Sequence, residues 1–324
     1  MRVACLQFCP KLCEVKENIR LADSLLAGVL RSQLDLLVLP ELALTDHSLE
    51  IQGAGPSSQW AQATAQRLNC IVSIGYPEKA ITPSPTTVSR TPTGSDRRYN
   101  YNSTIVYGPS GDCLAHYRKH FLLPADTKWA SEPVNHFGEL EKFSTHYIRE
   151  PLDTQVALGI CMDLNPYQGT APWTDFEFAN HVVYSGAKLV ILSMAWYSDL
   201  PKEDYEEGNV HEPDLKVFAY WVERLRPLLD ANQEVVIVLA NRCGSEADIR
   251  YVGTSTVLKI GKGSVRAWNL LGRGEQKCLV VDTGTDPEYI WDWRRKLFSD
   301  CPETGAESGV EREGMEAVFV EQVA

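Results

Sequence analysis

The sequence lacks the features that mark membrane-spanning, secreted and disulfide-stabilised proteins. No apolar run reaches the roughly 18 residues that a membrane-spanning helix needs. The chain starts Met1-Arg2-Val3-Ala4 and enters a strand-like run at once, so no secretory signal peptide is predicted. Its nine cysteines are an odd number without any CxxC pair, which favours free thiols in a reducing compartment. We therefore expect a cytoplasmic protein.

Sequence signals for nucleotide, nucleic-acid and metal binding are also missing. The chain contains neither a GxGxxG loop nor a Walker motif. A formal net charge of -12 argues against nucleic acid or an anionic membrane as a partner. The seven histidines are spread along the chain, and we expect no metal site.

What the chain does contain is enough apolar material for a large α/β core. It has 324 residues, of which 44% are hydrophobic, and apolar runs of strand length alternate with helical periodicity. Near ten strands are expected, at residues 2–8, 34–39, 70–75, 102–107, 113–118, 155–160, 188–194, 235–240, 251–260 and 277–281. Helices are expected at residues 15–29, 59–68 and 215–229, where Pro227 should end or kink the last one.

Composition divides the chain into one domain and two segments of different character. Residues 1–300 are expected to form a single domain. Residues 81–98 are rich in Pro, Thr and Ser and are typical of a surface insertion. Residues 302–324 are acidic and rich in Gly and Glu, which predicts a mobile tail.

Three polar residues share the same placement, directly after an apolar strand. Glu41 follows LLVLP at 36–40, Lys119 follows the second strand of a predicted hairpin, and Cys161 follows VALGI at 156–160. Ends of neighbouring strands meet at one sheet edge, so the three side chains can converge. Taken singly, each residue is also compatible with an ordinary role: a solvated Glu, a solvated Lys and a buried Cys.

Together these residue types satisfy the needs of a thiol that attacks an amide. Such a thiol needs a base, a positive group for the developing oxyanion, and a proton route to the leaving nitrogen. Glu41 can serve as base and later as acid, and Lys119 can hold the oxyanion with the backbone N–H of Met162. A lysine beside the thiol would also favour the thiolate.

The same three blocks resemble the signature blocks of the nitrilase superfamily, in the same order. They are LVLPE at 37–41, YRK at 117–119 and GICMD at 159–163, with supporting blocks YNS at 101–103, ANRCG at 240–244 and YVGTS at 251–255. The resemblance covers about residues 1–282. It implies an α-β-β-α sandwich, a triad of Glu41, Lys119 and Cys161, and hydrolysis of a carbon–nitrogen bond through a thioester without metal or cofactor.

The resemblance implies further site residues and a quaternary structure. Many members carry a second glutamate after the lysine, and Glu132 is the candidate here, to position Lys119 or the substrate. Relatives often associate into dimers or larger assemblies, so a homo-oligomer is also implied.

Departures from the general pattern point to one branch of the superfamily. CMDLNPY at 161–167, LTDH at 44–47 and LSMAW at 192–196 are similar to the fungal enzymes that convert an N-terminal Asn or Gln to Asp or Glu. That reaction prepares proteins for N-degron-dependent degradation. The implied partners are protein or peptide N-termini.

Such a substrate brings an α-ammonium group and a carboxamide into one pocket. A desolvated ammonium needs a carboxylate or other acceptors, and Asp163 or Glu132 can supply them. Asn165 can hydrogen-bond the carboxamide or the first peptide group. The aromatic candidates for pocket walls are Trp129, Tyr167 and Trp196, each of which is equally compatible with plain packing.

Several alternatives remain open at this point. An amidase of a free metabolite, such as an ω-amidase or a carbamoyl-amide hydrolase, would use the same triad, and a true nitrilase would act on C≡N. A non-catalytic scaffold would have no need of all three triad residues. No cysteine has the Gly/Ser-Cys-Trp context of papain-like proteases.

Overall fold

The computed structural model of the protein describes residues 1–45, 48–82, 97–135 and 137–292. The expected surface insertion at 81–98 is shorter than predicted at both ends, because residues 81–82 and 97–98 belong to two paired strands. Its remaining residues, 83–96, lie outside the described residues, and so does the expected tail at 302–324.

Fifteen strands and six α-helices occur in the described ranges. The strands are β1 Arg2–Gln7, β2 Leu36–Val38, β3 Ile71–Thr82, β4 Arg97–Tyr107, β5 Cys113–Arg118, β6 Thr145–Ile148, β7 Thr154–Ile160, β8 Leu189–Met194, β9 Val235–Asn241, β10 Cys243–Glu246, β11 Ile249–Val252, β12 Thr256–Gly261, β13 Ser264–Leu270, β14 Lys277–Asp282 and β15 Tyr289–Asp292. The helices are α1 Val15–Leu25, α2 Pro56–Leu68, α3 Glu177–Ser185, α4 Lys202–Glu207, α5 Leu215–Arg224 and α6 Arg226–Asp230.

The strands form two large mixed sheets and one small hairpin. The first sheet has the order β14-β1-β2-β3-β4-β5, and the second has the order β15-β13-β12-β9-β8-β7-β6. Strands β1 to β3 are parallel, and so are β7 to β9, while the flanking strands are antiparallel. The hairpin of β10 and β11 stands apart from both large sheets.

Three apolar layers show how these parts stack. One layer joins the facing sides of the two sheets, with Val38 and Ile71 from the first packed with Leu158 and Ile191 from the second. A second layer packs α1 and α2 on the outer face of the first sheet. The third packs α3, α5 and α6 on the outer face of the second sheet. The protein is therefore an α-β-β-α sandwich, which confirms the predicted fold class.

Strand β7 lies between two other strands of the second sheet, and both of its faces are covered by apolar layers. Its residues 156–160 are all buried, as expected for a continuous apolar run, and the strand lies between the antiparallel β6 and the parallel β8. It pairs in parallel with β8, where Ile160 lies opposite Ser193. Ile160, the last residue of β7, is thereby held at the end of the strand, directly before Cys161.

Two predicted elements differ in the structure, and one prediction about a break is confirmed. The helix expected at 215–229 is divided at Leu225 into α5, which ends at Arg224, and α6, which begins at Arg226 next to Pro227, a residue without a backbone donor. The single strand expected at 251–260 is wrong, because residues 253–255 separate β11 from β12 and Thr254 has a φ of 57°. None of the described helices is long and apolar enough to cross a membrane.

Candidate active site

Cys161 lies at the abrupt turn that ends β7. A 3-10 turn, Cys161–Leu164, begins at the cysteine itself. Cys161 has a φ of 40°, in the left-handed region that non-glycine residues rarely adopt, so the backbone is strained at the residue that carries the thiol. The first N–H groups of such a turn have no partner within it, and the N–H of Met162 is one of them.

The carboxylate of Asp163 holds this turn in place from the protein interior. It accepts hydrogen bonds from the N–H groups of Ile160 at 2.8 Å, His120 at 3.0 Å and Phe121 at 2.8 Å, and from the hydroxyl of Tyr117 at 2.8 Å. Asp163 is fully buried, and this burial raises its pKa. Two carboxylate oxygens offer about four acceptor positions, so none remains for a substrate.

Of the two carboxylates expected to receive a substrate ammonium, Asp163 has no acceptor position left, and Glu132 remains the candidate. The carboxylate oxygens of Asp163 are hydrogen-bonded to the turn that carries Cys161 and to the chain after β5. Glu132 is only partly buried, and its Oε2 accepts one hydrogen bond, at 3.0 Å from the hydroxyl of Tyr167.

Glu41 is fixed by its backbone and by its side chain. Its N–H donates to the carbonyl of Met194 at 3.3 Å, an oxygen that also accepts the N–H of Arg242 at 3.2 Å. Its Oε1 accepts hydrogen bonds from Asn102 Nδ2 at 2.6 Å and from Lys119 Nζ at 2.7 Å. A Cβ at Gly75 would lie 2.8 Å from the Cα of Glu41, so only glycine lets β3 approach this closely.

Lys119 follows β5 and lies between two carboxylates. Its N–H donates to the carbonyl of Asn102 at 2.8 Å, and its Nζ lies 2.7 Å from both Glu41 Oε1 and Asp126 Oδ2. Burial alone would lower the pKa of Lys119, but the charges of Glu41 and Asp126 raise it well above its usual range. The buried side chain of Lys119 therefore keeps its positive charge at neutral pH. The predicted contact between Glu41 and Lys119 is confirmed.

The thiol of Cys161 lies within the electrostatic reach of both charged residues. Burial and the carboxylate of Glu41 raise its pKa well above the ordinary range, whereas Lys119 and a hydrogen bond from the backbone of Ala195 act in the opposite direction. The expectation that Lys119 favours the thiolate of Cys161 is therefore not met, because burial and Glu41 have the larger effect on the pKa. At neutral pH the resting site therefore holds a protonated thiol beside a carboxylate that can accept its proton.

A cavity of about 450 Å³ opens beside the turn that follows Cys161. Its lining combines an apolar part with a few polar groups, as is typical of ligand sites. The lining residues are Leu122, Pro124, Thr127, Ala130, Ser131, Glu132, Met162 and Gln168. Glu132 was expected to position Lys119 or the substrate. It faces this cavity, and Asp126 is the carboxylate beside Lys119, so a role of Glu132 toward the substrate stays a prediction.

The remaining predicted pocket residues, Asn165, Trp196 and Trp129, make hydrogen bonds or ring contacts within the protein. The Oδ1 of Asn165 accepts a hydrogen bond from the hydroxyl of Tyr220 at 2.6 Å, and its Nδ2 lies 3.0 Å from the sulfur of Met162. The ring of Trp196 packs 5.6 Å from that of Tyr220. The backbone N–H of Trp129 donates to the carbonyl of Asp126 at 3.0 Å, and the indole is half-buried.

Two residues of the site were missed by the sequence analysis. Asn102 lies in the YNS block and contacts Glu41 through its side chain and Lys119 through its carbonyl. Asp126 begins a 3-10 turn, Asp126–Lys128, seven positions after Lys119. The only signal for Asp126 was a carboxylate two positions after Pro124.

The histidines that the structure describes are bonded to groups of the protein itself where their spacing could suggest a pair of ligands. One pair of histidines, His116 and His120, does have a spacing of four, which brings side chains together only on a helix. In this chain, His116 Nε2 lies 3.1 Å from the Tyr76 hydroxyl and 3.2 Å from Glu78, while His120 Nδ1 donates to the carbonyl of Arg118 at 2.8 Å. Across the described ranges, no three His, Cys, Asp or Glu side chains are grouped to hold a metal ion.

The sandwich and its acid, lysine and thiol define a hydrolase that acts on carbon–nitrogen bonds. The family model for carbon-nitrogen hydrolases matches residues 2–166, which include all three residues. The chain belongs to the carbon-nitrogen hydrolase family.

Relatives with assigned names are similar over most of the chain. A protein N-terminal amidase of Schizosaccharomyces pombe is 30% identical over 309 residues, covering 86% of this chain and 98% of the relative. A protein N-terminal amidase of Saccharomyces cerevisiae is 29% identical over 221 residues, or 60% of this chain and 45% of the relative. A crystal structure of an N-terminal amidase with an Asn-Glu-Ala peptide has the same fold, with a TM-score of 0.72 at 20% identity, covering 87% of this chain and 97% of that one.

Proposed function

We propose that this protein is a protein N-terminal amidase, which converts the side-chain carboxamide of an N-terminal Asn or Gln to a carboxylate and releases ammonia. The observation that carries the proposal is the match to the Schizosaccharomyces pombe protein N-terminal amidase, which extends over 98% of that relative. The buried contact of Glu41 with Lys119 at 2.7 Å, beside Cys161, supplies the groups that the reaction needs.

In the first half-reaction, the sulfur of Cys161 attacks the carboxamide carbon while Glu41 accepts the thiol proton. The raised thiol pKa makes this base necessary, because little thiolate exists before attack. Negative charge develops on the carboxamide oxygen, where Lys119 and the N–H of Met162 stabilise it. Glu41 then returns the proton to the nitrogen, the carbon–nitrogen bond breaks, and ammonia leaves behind a thioester.

In the second half-reaction, Glu41 takes a proton from water as the water oxygen attacks the thioester carbon. The carbon–sulfur bond breaks, the sulfur regains the proton from Glu41, and the product leaves with a carboxylic acid side chain. Asp126 does not touch the reacting atoms in this scheme. It holds Lys119 in position, at 2.7 Å, so that Glu41 is not the sole partner of the ammonium.

The substrate's α-ammonium group is assigned to Glu132. Its carboxylate faces the cavity beside Met162 and retains free acceptor capacity beyond the hydrogen bond from Tyr167. A carboxylate in a partly dry cavity favours a cationic group there and disfavours an acylated, neutral amine. This pairing explains why an amidase of this kind would require a free N-terminus.

The proposal also assigns a setting to the reaction. The eight cysteines in the described part of the chain are free thiols, in keeping with a reducing cytosol. In that compartment the product, an acidic N-terminal residue, would enter N-degron-dependent degradation.

The test measures ammonia release from a peptide with N-terminal Asn, from its N-acetylated twin and from α-ketoglutaramate. We expect turnover of the free-amine peptide alone, loss of all turnover in Cys161→Ala, and a KM raised about tenfold or more in Glu132→Gln, the cost of one charge-assisted hydrogen bond. Glu17→Gln, at an exposed glutamate of α1, is the matched control. Turnover of α-ketoglutaramate alone would show a metabolite amidase instead.

A further inference from the structure

The loop after β8 begins beside Glu41, because the carbonyl of Met194, the last residue of β8, accepts the N–H of Glu41 at 3.3 Å. The backbone of Ala195, the first residue of this loop, lowers the pKa of the Cys161 thiol, which places this backbone near the sulfur. Tyr197 comes two positions later, and two residues of extended chain span at most about 7 Å. The backbone of Tyr197 therefore lies next to the reacting centre, although nothing in the mechanism above uses it.

The small hairpin holds this loop in place. The N–H of Val252 donates to the carbonyl of Trp196 at 3.0 Å, and the N–H of Ser198 donates to the carbonyl of Arg250 at 2.7 Å. These two bonds flank an isolated antiparallel bridge between Tyr197 and Tyr251. The backbone at Tyr197 is thus fixed on both sides, so its side chain is presented from a rigid support.

The side chain of Tyr197 combines a packed ring with an available hydroxyl. Its ring lies 5.7 Å from that of Tyr251, which in turn lies 4.5 Å below the guanidinium of Arg242. Tyr197 nevertheless remains 37% exposed, and no hydrogen bond to its hydroxyl occurs within the described part of the chain. Burial, and after it the carboxylate of Glu41, raise the pKa of Tyr197 to about 12, so the hydroxyl keeps its proton at neutral pH.

An N-terminal Asn presents three polar groups around its Cα atom. The carboxamide goes to Cys161 and Lys119, and the ammonium goes to Glu132, which leaves the first peptide bond without a partner. The carbonyl of that bond is an acceptor that suits a neutral donor. It lies only a few bonds from the carboxamide carbon, which suits a donor such as the Tyr197 hydroxyl that lies within electrostatic reach of Glu41 and Cys161.

We infer that the hydroxyl of Tyr197 donates a hydrogen bond to the carbonyl of the substrate's first peptide bond and so distinguishes peptides from small amides. This inference rests on the proposed function and names the residue that reads the peptide. It makes Tyr197, on the loop after β8, a specificity-determining residue.

The experiment compares two substrates that differ in the group recognised. One is an Asn-Gly peptide, and the other is 3-aminopropanamide, which keeps the amine and the carboxamide of Asn but has no peptide bond. For Tyr197→Phe we expect KM for the peptide to rise roughly fivefold with kcat nearly unchanged, as for one neutral hydrogen bond. Both constants for 3-aminopropanamide should stay as in the wild type. Tyr184→Phe, at an 84% exposed tyrosine of α3, is the matched control.

The outcomes separate the two proposals. Equal losses on both substrates would show that Tyr197 supports the reaction itself, and no loss on either would show that it does not bind the peptide; both overturn the inference. A wild-type enzyme that ignores the peptide and hydrolyses only 3-aminopropanamide overturns the proposed function, before any variant is compared. Thermal melting of Tyr197→Phe serves as the check on folding, and we expect the wild-type midpoint.

Discussion

The carboxylate of Asp126 lies 2.7 Å from the ammonium of Lys119, and the two side chains are only 11% and 2% exposed. Lys119 is therefore held from two sides, by Asp126 and by Glu41. A lysine with a single carboxylate partner would be free to follow that partner. With two partners, the ammonium stays at one point, as the proposed proton exchange of Glu41 requires.

Asp126→Asn tests this positioning role. The change keeps the shape of the side chain but removes one of the charges that hold Lys119. We expect kcat to fall about 100-fold, the usual cost of misplacing a reacting group, with little change in KM. The control is Asp23→Asn, which removes a carboxylate from the exposed ion pair with Arg67 and should leave both constants near their wild-type values. Equal effects of the two changes would rule out a special role for Asp126.

Glu41→Gln should change the thiol as well as the rate. The carboxylate of Glu41 helps to raise the pKa of Cys161, so its neutral replacement lowers that pKa and lets the thiolate form at lower pH. Lys119→Met should act in the opposite direction, because the ammonium lowers the same pKa. The measurement is the rate of alkylation of the Cys161 peptide by iodoacetamide against pH, read by mass spectrometry. Midpoints that do not move in opposite directions would contradict this electrostatic coupling.

Asp163→Ala is expected to damage the fold rather than the affinity for substrate. The change would leave four buried donors without their acceptor, among them the N–H of Ile160 next to Cys161. We expect a loss of about 3 kcal/mol in the free energy of unfolding, measured by urea denaturation. The exposed Asp199 provides the control, Asp199→Ala, which should cost little. A stable Asp163→Ala variant with a raised KM only for free-amine peptides would restore Asp163 as the ammonium site.

Glu78 should make the stability of the protein depend on acid pH. It is 2% exposed, and burial alone would raise its pKa, but hydrogen bonds from His116 and Arg118 lower it from 4.5 to about 2. Its stabilisation is complete above the unfolded value of 4.5 and disappears as the pH falls towards 2, because the unfolded chain is protonated first. The difference corresponds to about 3 kcal/mol.

Urea unfolding at a series of pH values between 7 and 2 measures this contribution. The wild type should lose about 3 kcal/mol more than Glu78→Gln across the acid range, because the amide has no proton to take up. Glu17→Gln removes an exposed carboxylate instead and should follow the wild-type curve. Parallel curves for the wild type and Glu78→Gln would show that the contact of Glu78 with Arg118 does not stabilise the fold.

Features with a local signature could be predicted from the sequence. The run that became β7 is apolar over its whole length and ends at a turn, so its bounds and the position of Cys161 followed directly. The hairpin of β4 and β5 was marked by apolar runs on either side of PSGD at 109–112. The break before α6 followed from Pro227.

Features decided by distant contacts could not be predicted. Helix α3 has two adjacent valines and an Asn, and its covering of the second sheet, not its propensity, makes it a helix. Asp163 was judged by its closeness to Cys161 in the sequence, whereas the donors that occupy it come from the chain after β5. Asp126 meets Lys119 only because a loop returns to the strand end. In each case the neighbours in space, unlike those in sequence, determine the role.

The carbonyl of Met194, in the middle of the chain, accepts hydrogen bonds from the N–H groups of Glu41, near its start, and Arg242, nearer its end. Glu41, the proposed catalytic base, is therefore anchored by an oxygen that is in place only after three distant segments have met. Contacts of such long sequence separation form late, because loop closure must precede them. In refolding, ammonia-releasing activity should therefore return after most helix and strand has formed, and a growing chain should be inactive until the Arg242 segment has joined the sandwich.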